Sequence, residues 1–327
     1  MKLLIFGGGG MIGQAIAKKH LAEGDTVYIY DMRLNPYIDY TNMVGEDVTG
    51  KDGGLDFDIL SHQAALVGVG QSQYDIQRYV DNNVGVTSAI LQATLHAKKM
   101  DGKIIFAGSM GPYGEGHGKG PIRETQKQHP KSIYAVTKQT QENLIKVFSE
   151  TYGVPAISLR YFSVYSTTQT PLNPHTGVLS IIANKILNSD KVELLGNGDQ
   201  YRDLIEVSDV ADAHFLASRL EWKGFDAINV GTGIPTKMAD VATKMVELLN
   251  PFMPIEFDGK YRKGDITGIY ADTRKMNTKL GWNPKVKIED GIRQYCEYIN
   301  ANRDKYTLHT DSTSVENLIL ELKGLIK

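Results

Sequence analysis

Residues 2–22 set an apolar run, a glycine cluster and a helix-compatible stretch in immediate succession: Lys2 to Phe6, then Gly7-Gly8-Gly9-Gly10-Met11-Ile12-Gly13, then Gln14 to Ala22. The first run is too short for a helix and carries no alternation, so it reads as a strand buried on both faces. Strand, glycine turn and helix in that order form the opening unit of a dinucleotide-binding α/β fold. The glycines at 7, 10 and 13 fit a GxxGxxG spacing and those at 8, 10 and 13 fit GxGxxG equally well, so spacing leaves both open. Missing β-carbons let a pyrophosphate approach the backbone, and the following helix N-terminus offers free N–H donors and a favourable dipole. The plain alternative is a tight turn that binds nothing.

The same alternation continues downstream. Thr26 to Tyr30 is a second apolar run ending in Asp31. An acid placed there hydrogen-bonds ribose hydroxyls and repels a 2′-phosphate, which favours NAD over NADP, although Arg33 could accept that phosphate. Asp58-Ile59-Leu60 before His62-Gln63-Ala64-Ala65, and Lys103 to Ala107 before Gly108-Ser109, are further short strands ending in small or polar residues. Between them Tyr74 to Met100 reads as a long helical stretch, with Tyr79, Val80, Val84, Ile90, Leu91 and Leu95 near helical spacing. Strands alternating with helices predict a Rossmann-type, doubly wound parallel sheet with its ligand crevice at the strand C-termini.

Length and charge narrow the rest. At 327 residues the chain has room for two domains or one two-lobed unit. Lys plus Arg is 36 against 38 Asp plus Glu, a net charge of −2, and no block of like charge favours a nucleic-acid or membrane-surface partner. A single cysteine, Cys296, excludes an internal disulfide framework and a thiolate-rich zinc site and suits a reducing cytoplasm. Met1 leads into an apolar run too short for a secretion signal, and no window reaches the roughly 20 apolar residues of a membrane helix. His117 and His129 lack a spaced carboxylate or second histidine, so no metal site is expected.

Tyr134-Ala-Val-Thr-Lys138 opens a predicted helix running to about Thr151, which puts the two side chains one turn apart on one face. A phenol titrates near 10 in isolation, but an ammonium and a positive nicotinamide beside it favour the phenolate. Such a tyrosinate removes a proton from a sugar hydroxyl while hydride leaves to NAD, with the Ser109 hydroxyl bonded to the same oxygen. The same spacing also occurs on plain solvated helices. Its weight here comes from Gly7, Gly10, Gly13, Asp31 and Ser109 standing in order before it.

With these segments in this order, the chain resembles the extended short-chain dehydrogenase/reductase family and, within it, the NAD-dependent nucleotide-sugar epimerases and dehydratases. The carrying segments are Gly7 to Gly13, Asp47-Val48, His62 to Ala65, Asn83-Val84-Gly85, Gly108 to Gly114, Tyr134 to Lys138, Leu159 to Tyr165, Gln200 to Asp203 and Arg262-Lys263-Gly264-Asp265. The resemblance implies Ser109, Tyr134 and Lys138 as the catalytic set. It implies Asp47 and Val48 on the adenine, and Ala64, Ala65 and Asn83 along the dinucleotide. Arg202 and Arg262 would clamp the substrate diphosphate with permanently charged forks. Val67 to Ser72, Tyr113 to Gly116 and Leu172 to Gly177 look like the 4-epimerase branch, of the dTDP-L-rhamnose and UDP-glucose type. Departures are informative. Met110 and Gly111 stand where the family's dehydratases carry Asp and Glu, and its decarboxylases tend to carry Glu at the position of Gly111. Ser163 replaces a usual Asn, and Ser166-Thr167-Thr168 a usual Gly-Pro-Arg.

In the second half, Thr167 to Gly177 reads as a loop, Val178 to Leu187 as an amphipathic helix and Val192 to Leu195 as a strand before an Asn197-Gly198-Asp199 turn. Leu204 to Val207 and Ala227 to Val230 read as strands flanking the helix Ser208 to Leu220, and the resemblance implies that both return to the first domain. The expected division is an NAD-binding domain of 1–165 plus about 204–231, and a smaller mixed α/β substrate lobe of about 166–203 plus 232–327. Tyr161 and Phe162 could pack near the nicotinamide or be plain core, with Ser163 beside the sugar. Thr313 with Glu316 marks a capped terminal helix. The resemblance suggests a homodimer through the Tyr74 to Met100 and Tyr134 to Thr151 helices. The expected activity is a 4-epimerase on a UDP-, dTDP- or GDP-hexose, passing through a 4-keto sugar with hydride return. The alternatives are a dehydrogenase or 4-ketoreductase with net redox, and behind them a dehydratase, a decarboxylase or an NAD-binding sensor.

Overall fold

Six strands form one parallel sheet in the computed structural model, which describes residues 1–31, 57–95, 102–115, 120–172 and 177–307. In chain order the strands are β1 (Lys2–Phe6), β2 (Thr26–Tyr30), β3 (Ile59–His62), β4 (Lys103–Ser109), β5 (Ala156–Tyr161), β6 (Ser163–Tyr165), β7 (Val192–Leu194), β8 (Tyr201–Glu206), β9 (Phe225–Val230), β10 (Pro235–Lys237), β11 (Ile255–Phe257) and β12 (Gly268–Ile269). The large sheet runs β2-β1-β3-β4-β5-β9, and each neighbouring pair is parallel. Near-continuous apolar runs are what such a sheet needs, because helices cover both faces. On one face Leu3, Ile5, Ile59, Ile105 and Leu159 pack with Ile16, Ala17, Val210 and Ala217, from the helices Met11–Ala22 and Val207–Arg219. On the other, Leu4, Leu60, Ile104 and Phe106 meet Ile90, Leu91, Ile145 and Phe148.

The chain leaves β1 toward β2 on one side and resumes at β3 on the other. That reversal opens a crevice at the carboxyl ends of β1 and β3, where such sheets bind ligands. A second sheet centres on β8, flanked by antiparallel β10 and parallel β12, with β6 also parallel to it, and β7 pairs β11. Its core joins Leu179, Ile182, Val241, Met245, Ile292 and Ile299.

Of the two strands that flank the helix Val207–Arg219, β9 joins the large sheet while β8 pairs in the second. Alternation explains this, since Ile205 faces the large core while Leu204 faces the second one. The stretch from Tyr74 is helical without a gap from Ile76 to Thr94, with a π-helical turn, Val80–Gly85, between the α-helical Ile76–Tyr79 and Val86–Thr94. No helix among the described residues is long and apolar enough to cross a membrane. Arg33, Asp47, Val48, Met100, His117, residues 173–176 and the terminal segment 313–327 lie outside the described residues.

Candidate active site

The turn after β1 separates the roles of its glycines. Gly7 has φ +85°, and a β-carbon on it would lie 2.6 Å from the Ala64 amide nitrogen, so β3's continuation can pass only over a glycine. A β-carbon on Gly13 would collide with the Gly7 carbonyl oxygen, which ties the start of the Met11–Ala22 helix to the turn. One on Gly8 would meet only the Ile29 side chain. Backbone packing therefore enforces the 7 and 13 positions. Gly10 differs: its φ is an ordinary −76°, and a β-carbon would find only the Gly7 carbonyl, at 3.4 Å. Among the described residues nothing requires that glycine, so the space above it is a cradle open to the cleft. Asp31, just past β2, accepts a 2.9 Å hydrogen bond from the Gly9 amide and stands at the rim of the turn.

The π-helical turn has a local purpose. It buries Asn83, whose amide accepts from the Leu66 amide at 2.7 Å and donates to the Leu66 carbonyl at 3.1 Å and to Thr137 Oγ1 at 2.9 Å. Thr137 in turn donates to the Tyr134 carbonyl at 2.8 Å. Asn83 thus sits behind the Ala64-Ala65 loop and clamps it to the helix Ile133–Tyr152, whose first turn is capped by Ser132 accepting from the Ala135 amide.

Ser109 closes β4, and its hydroxyl accepts from the Gly111 amide at 3.1 Å on the side of the cleft where the Tyr134 ring stands. Lys138 is only 3% exposed, with its Nζ 4.3 Å from the centre of the Phe106 ring. Burial pulls its ammonium down to about 7, against the attraction of Glu142. Burial likewise raises the Tyr134 phenol above its ordinary value, partly offset by the neighbouring Ser109 hydroxyl. Without another positive charge the phenol stays protonated at neutral pH. Tyr161 and Phe162 are both core residues, and each also lines the cleft.

The cleft encloses about 1910 Å³, roughly twice the upper end for one small ligand. Gly10, Met11, Ile12, Ala65, Ser109, Tyr134, Lys138, Ser163, Arg202 and Arg262 all line it. Arg202 is held by three backbone carbonyls, at Tyr201, Ile266 and Thr267, so its fork is fixed before any ligand arrives. Asp265, another wall residue, was quoted in the sequence only as part of Arg262-Lys263-Gly264-Asp265; enclosure raises its carboxyl while Arg262 and Arg202 oppose the rise. Gln63 also lines the cleft and carries no role in the sequence reading beyond its segment. A β-carbon on Gly111 would stand 3.4 Å from Ser109 Oγ and 3.7 Å from Tyr134 Cε1. That position beside the reactive pair therefore holds no carboxylate. Among the described residues no cluster of three metal-ligating side chains occurs.

The model of the NAD dependent epimerase/dehydratase family matches residues 3–231. A Methanocaldococcus jannaschii protein provisionally named a UDP-glucose 4-epimerase is 32% identical, over 92% of this chain and 99% of its own. The dTDP-L-rhamnose 4-epimerase of Burkholderia thailandensis is 26% identical over 93% of this chain and 96% of its own. Among solved structures, the NAD complex of Thermus thermophilus UDP-glucose 4-epimerase superposes with a TM-score of 0.78 at 28% identity, covering 92% of this chain and 99% of that one. The Gly10 cradle and the acid at the end of β2 fit a dinucleotide. The chain belongs to the NAD-dependent epimerase/dehydratase family, as an NAD-dependent enzyme of its nucleotide-sugar 4-epimerase group.

Proposed function

We propose that this protein inverts C4 of a nucleotide-diphosphate hexose by transient oxidation and return of the same hydride. The observation that carries the reading is a single cleft whose wall brings Ser109 and Tyr134 side by side, both within 3.7 Å of one point beside Gly111, together with Gly10, Lys138, Arg202 and Arg262. NAD, when bound, supplies the hydride acceptor and a positive ring. Gly7, Gly10, Met11, Ile12 and Gly13 would hold its pyrophosphate, Asp31 and Lys138 its riboses, Ala64 and Ala65 its flank, with Asn83 acting from behind. Asp47 and Val48 are proposed on the adenine, and Tyr161 and Phe162 beside the ring. Tyr134 takes the C4 hydroxyl proton and later restores it, while Ser109 holds the same oxygen. A phenol raised by burial is a weak base, so the positive charges of Lys138 and the cofactor ring are what bring it within range.

Arg202 and Arg262 are proposed to clamp the diphosphate, and Ser163 to face the sugar. With Met110 and Gly111 in place of an acid pair, no side chain there can move a C5 proton or expel a C6 hydroxyl, which removes support for dehydration. Ile76, Val80, Val136 and Val147 are exposed on the catalytic helix and its neighbour, and we propose that they form a homodimer contact. The single buried Cys296 suits the reducing cytoplasm proposed as its location.

A proton NMR time course with catalytic NAD and a panel of UDP-, dTDP- and GDP-hexoses tests the reading. The expected outcome is a new anomeric signal from an epimer, growing without NADH accumulation. Sugar loss matched mole for mole by NADH, once stoichiometric NAD is supplied, would establish a dehydrogenase instead.

A further inference from the structure

A single file of polar side chains runs from the amino-terminal edge of the large sheet to the floor of the cleft, outside the chemistry above. His20 Nδ1 lies 2.7 Å from Asp25 Oδ2, His20 Nε2 3.1 Å from His214 Nδ1, and His214 Nε2 2.8 Å from Ser61 Oγ. Gln63 Nε2 then donates to Ser61 Oγ at 2.9 Å, and the Tyr161 hydroxyl makes a longer 3.5 Å contact to Gln63 Oε1. His20, His214 and Ser61 are 0% exposed, so water does not reach the links among these three. Gln63 and Tyr161 line the cleft at the ends of β3 and β5, on either side of β4.

A file of this kind has two possible directions, because each neutral imidazole, hydroxyl and amide can donate at one end and accept at the other. A carboxylate can only accept. Although burial opposes its ionisation, hydrogen bonds from Arg219, the Met1 amino group and His20 hold the Asp25 carboxyl down at about 2. His20 must then carry its proton on Nδ1, which leaves Nε2 as an acceptor. His214 must therefore be protonated on Nδ1, Ser61 must donate to His214 Nε2, and Gln63 must turn its N–H to Ser61. The groups facing His20 are Asp25, Arg219, the Met1 amino group, His214 and the Phe215 ring; those facing His214 are His20 and Ser61. Burial lowers both imidazoles, His214 well below its ordinary value.

We propose that Asp25, through His20, His214 and Ser61, fixes which way the Gln63 amide points, and that Gln63 in that orientation contacts the bound dinucleotide. Ser61, His214, His20 and Asp25 are positioning residues. The Gln63 contact rests on the reading of the cleft as the NAD site; the direction of the file does not.

The first test is nitrogen-15 NMR of histidine-labelled, unliganded protein. His20 and His214 should both appear as neutral Nδ1–H tautomers, the less common form, with signals unchanged across about pH 5.5 to 8.5, the range in which free histidine titrates. A neutral Nε2–H form at either residue, or titration in that range, would overturn the proposed direction. The second test is calorimetric titration with NAD. Ser61→Ala should bind NAD about three- to tenfold more weakly, the value of one hydrogen bond, and Ser61→Thr should restore binding. Gln63→Leu should lose a similar factor, and the double variant should be no worse than Gln63→Leu alone. Unchanged affinity in Ser61→Ala, or losses that multiply in the double variant, would overturn the positioning role. Wild-type protein that shows the tautomers but binds no NAD would overturn the reading of the cleft, and the Gln63 contact with it.

Discussion

Lys138 and Tyr134 are both held away from the protonation states that their chemistry uses, and both consequences are measurable. The lysine titrates near 7 in the folded protein against 10.5 ordinarily. Between those values the unfolded chain binds a proton that the folded chain does not, so the unliganded protein should gain stability as pH rises from about 7 toward 10.5. Lys138→Met should flatten that slope and raise the melting temperature at neutral pH, as read by calorimetry without cofactor, while removing turnover. Tyr134→Phe should lower kcat by about 10²- to 10⁴-fold, the usual contribution of a positioned acid/base, with NAD affinity nearly unchanged by titration calorimetry. Full activity in that variant would refute the proposed proton transfer. At this scale the sequence was informative where spacing has chemical meaning, as in the i, i+4 pair Tyr134 and Lys138. It was silent on Gln63 and Asp265, because their surroundings are assembled from strands far apart in the chain.

Among the elements, the glycine turn shows how one segment divides its work. Gly7→Ala should cost folding stability, because positive φ and the Ala64 backbone both oppose a side chain. Gly10→Ala should melt close to wild type yet bind NAD far more weakly, because its β-carbon intrudes only on the open cradle. Comparing the two by thermal melting and NAD titration separates fold from ligand; equal NAD affinity in Gly10→Ala would remove the cradle. The strand-turn-helix unit was legible because two periodicities meet at the glycines. The π-helical turn at Val80–Gly85 was not, since its apolar residues keep near-helical spacing while the reason for the break, the Asn83 amide bridging Leu66 and Thr137, is tertiary. The placement of β8 escaped for a related reason: its alternating sides serve two cores, and a lone strand does not say which sheet supplies its neighbours.

For the molecule as a whole, the parallel sheet and its crevice followed from the order of segments, whereas the second sheet, built from strands as short as Gly268–Ile269, leaves little periodicity to read. The exposed Ile76, Val80, Val136 and Val147 give the proposed dimer a direct check: Val147→Lys should shift the sedimentation of the protein toward monomer, and an unchanged species would place the contact elsewhere. The buried file between Asp25 and Gln63 operates across the same distance without any change of shape. Each link has one donor and one acceptor, so the file stores a single binary state, and its two ends cannot be set independently. A substitution near Asp25, on the side of the sheet away from the cleft, can therefore rewrite what the cleft presents to its ligand while every backbone atom keeps its place.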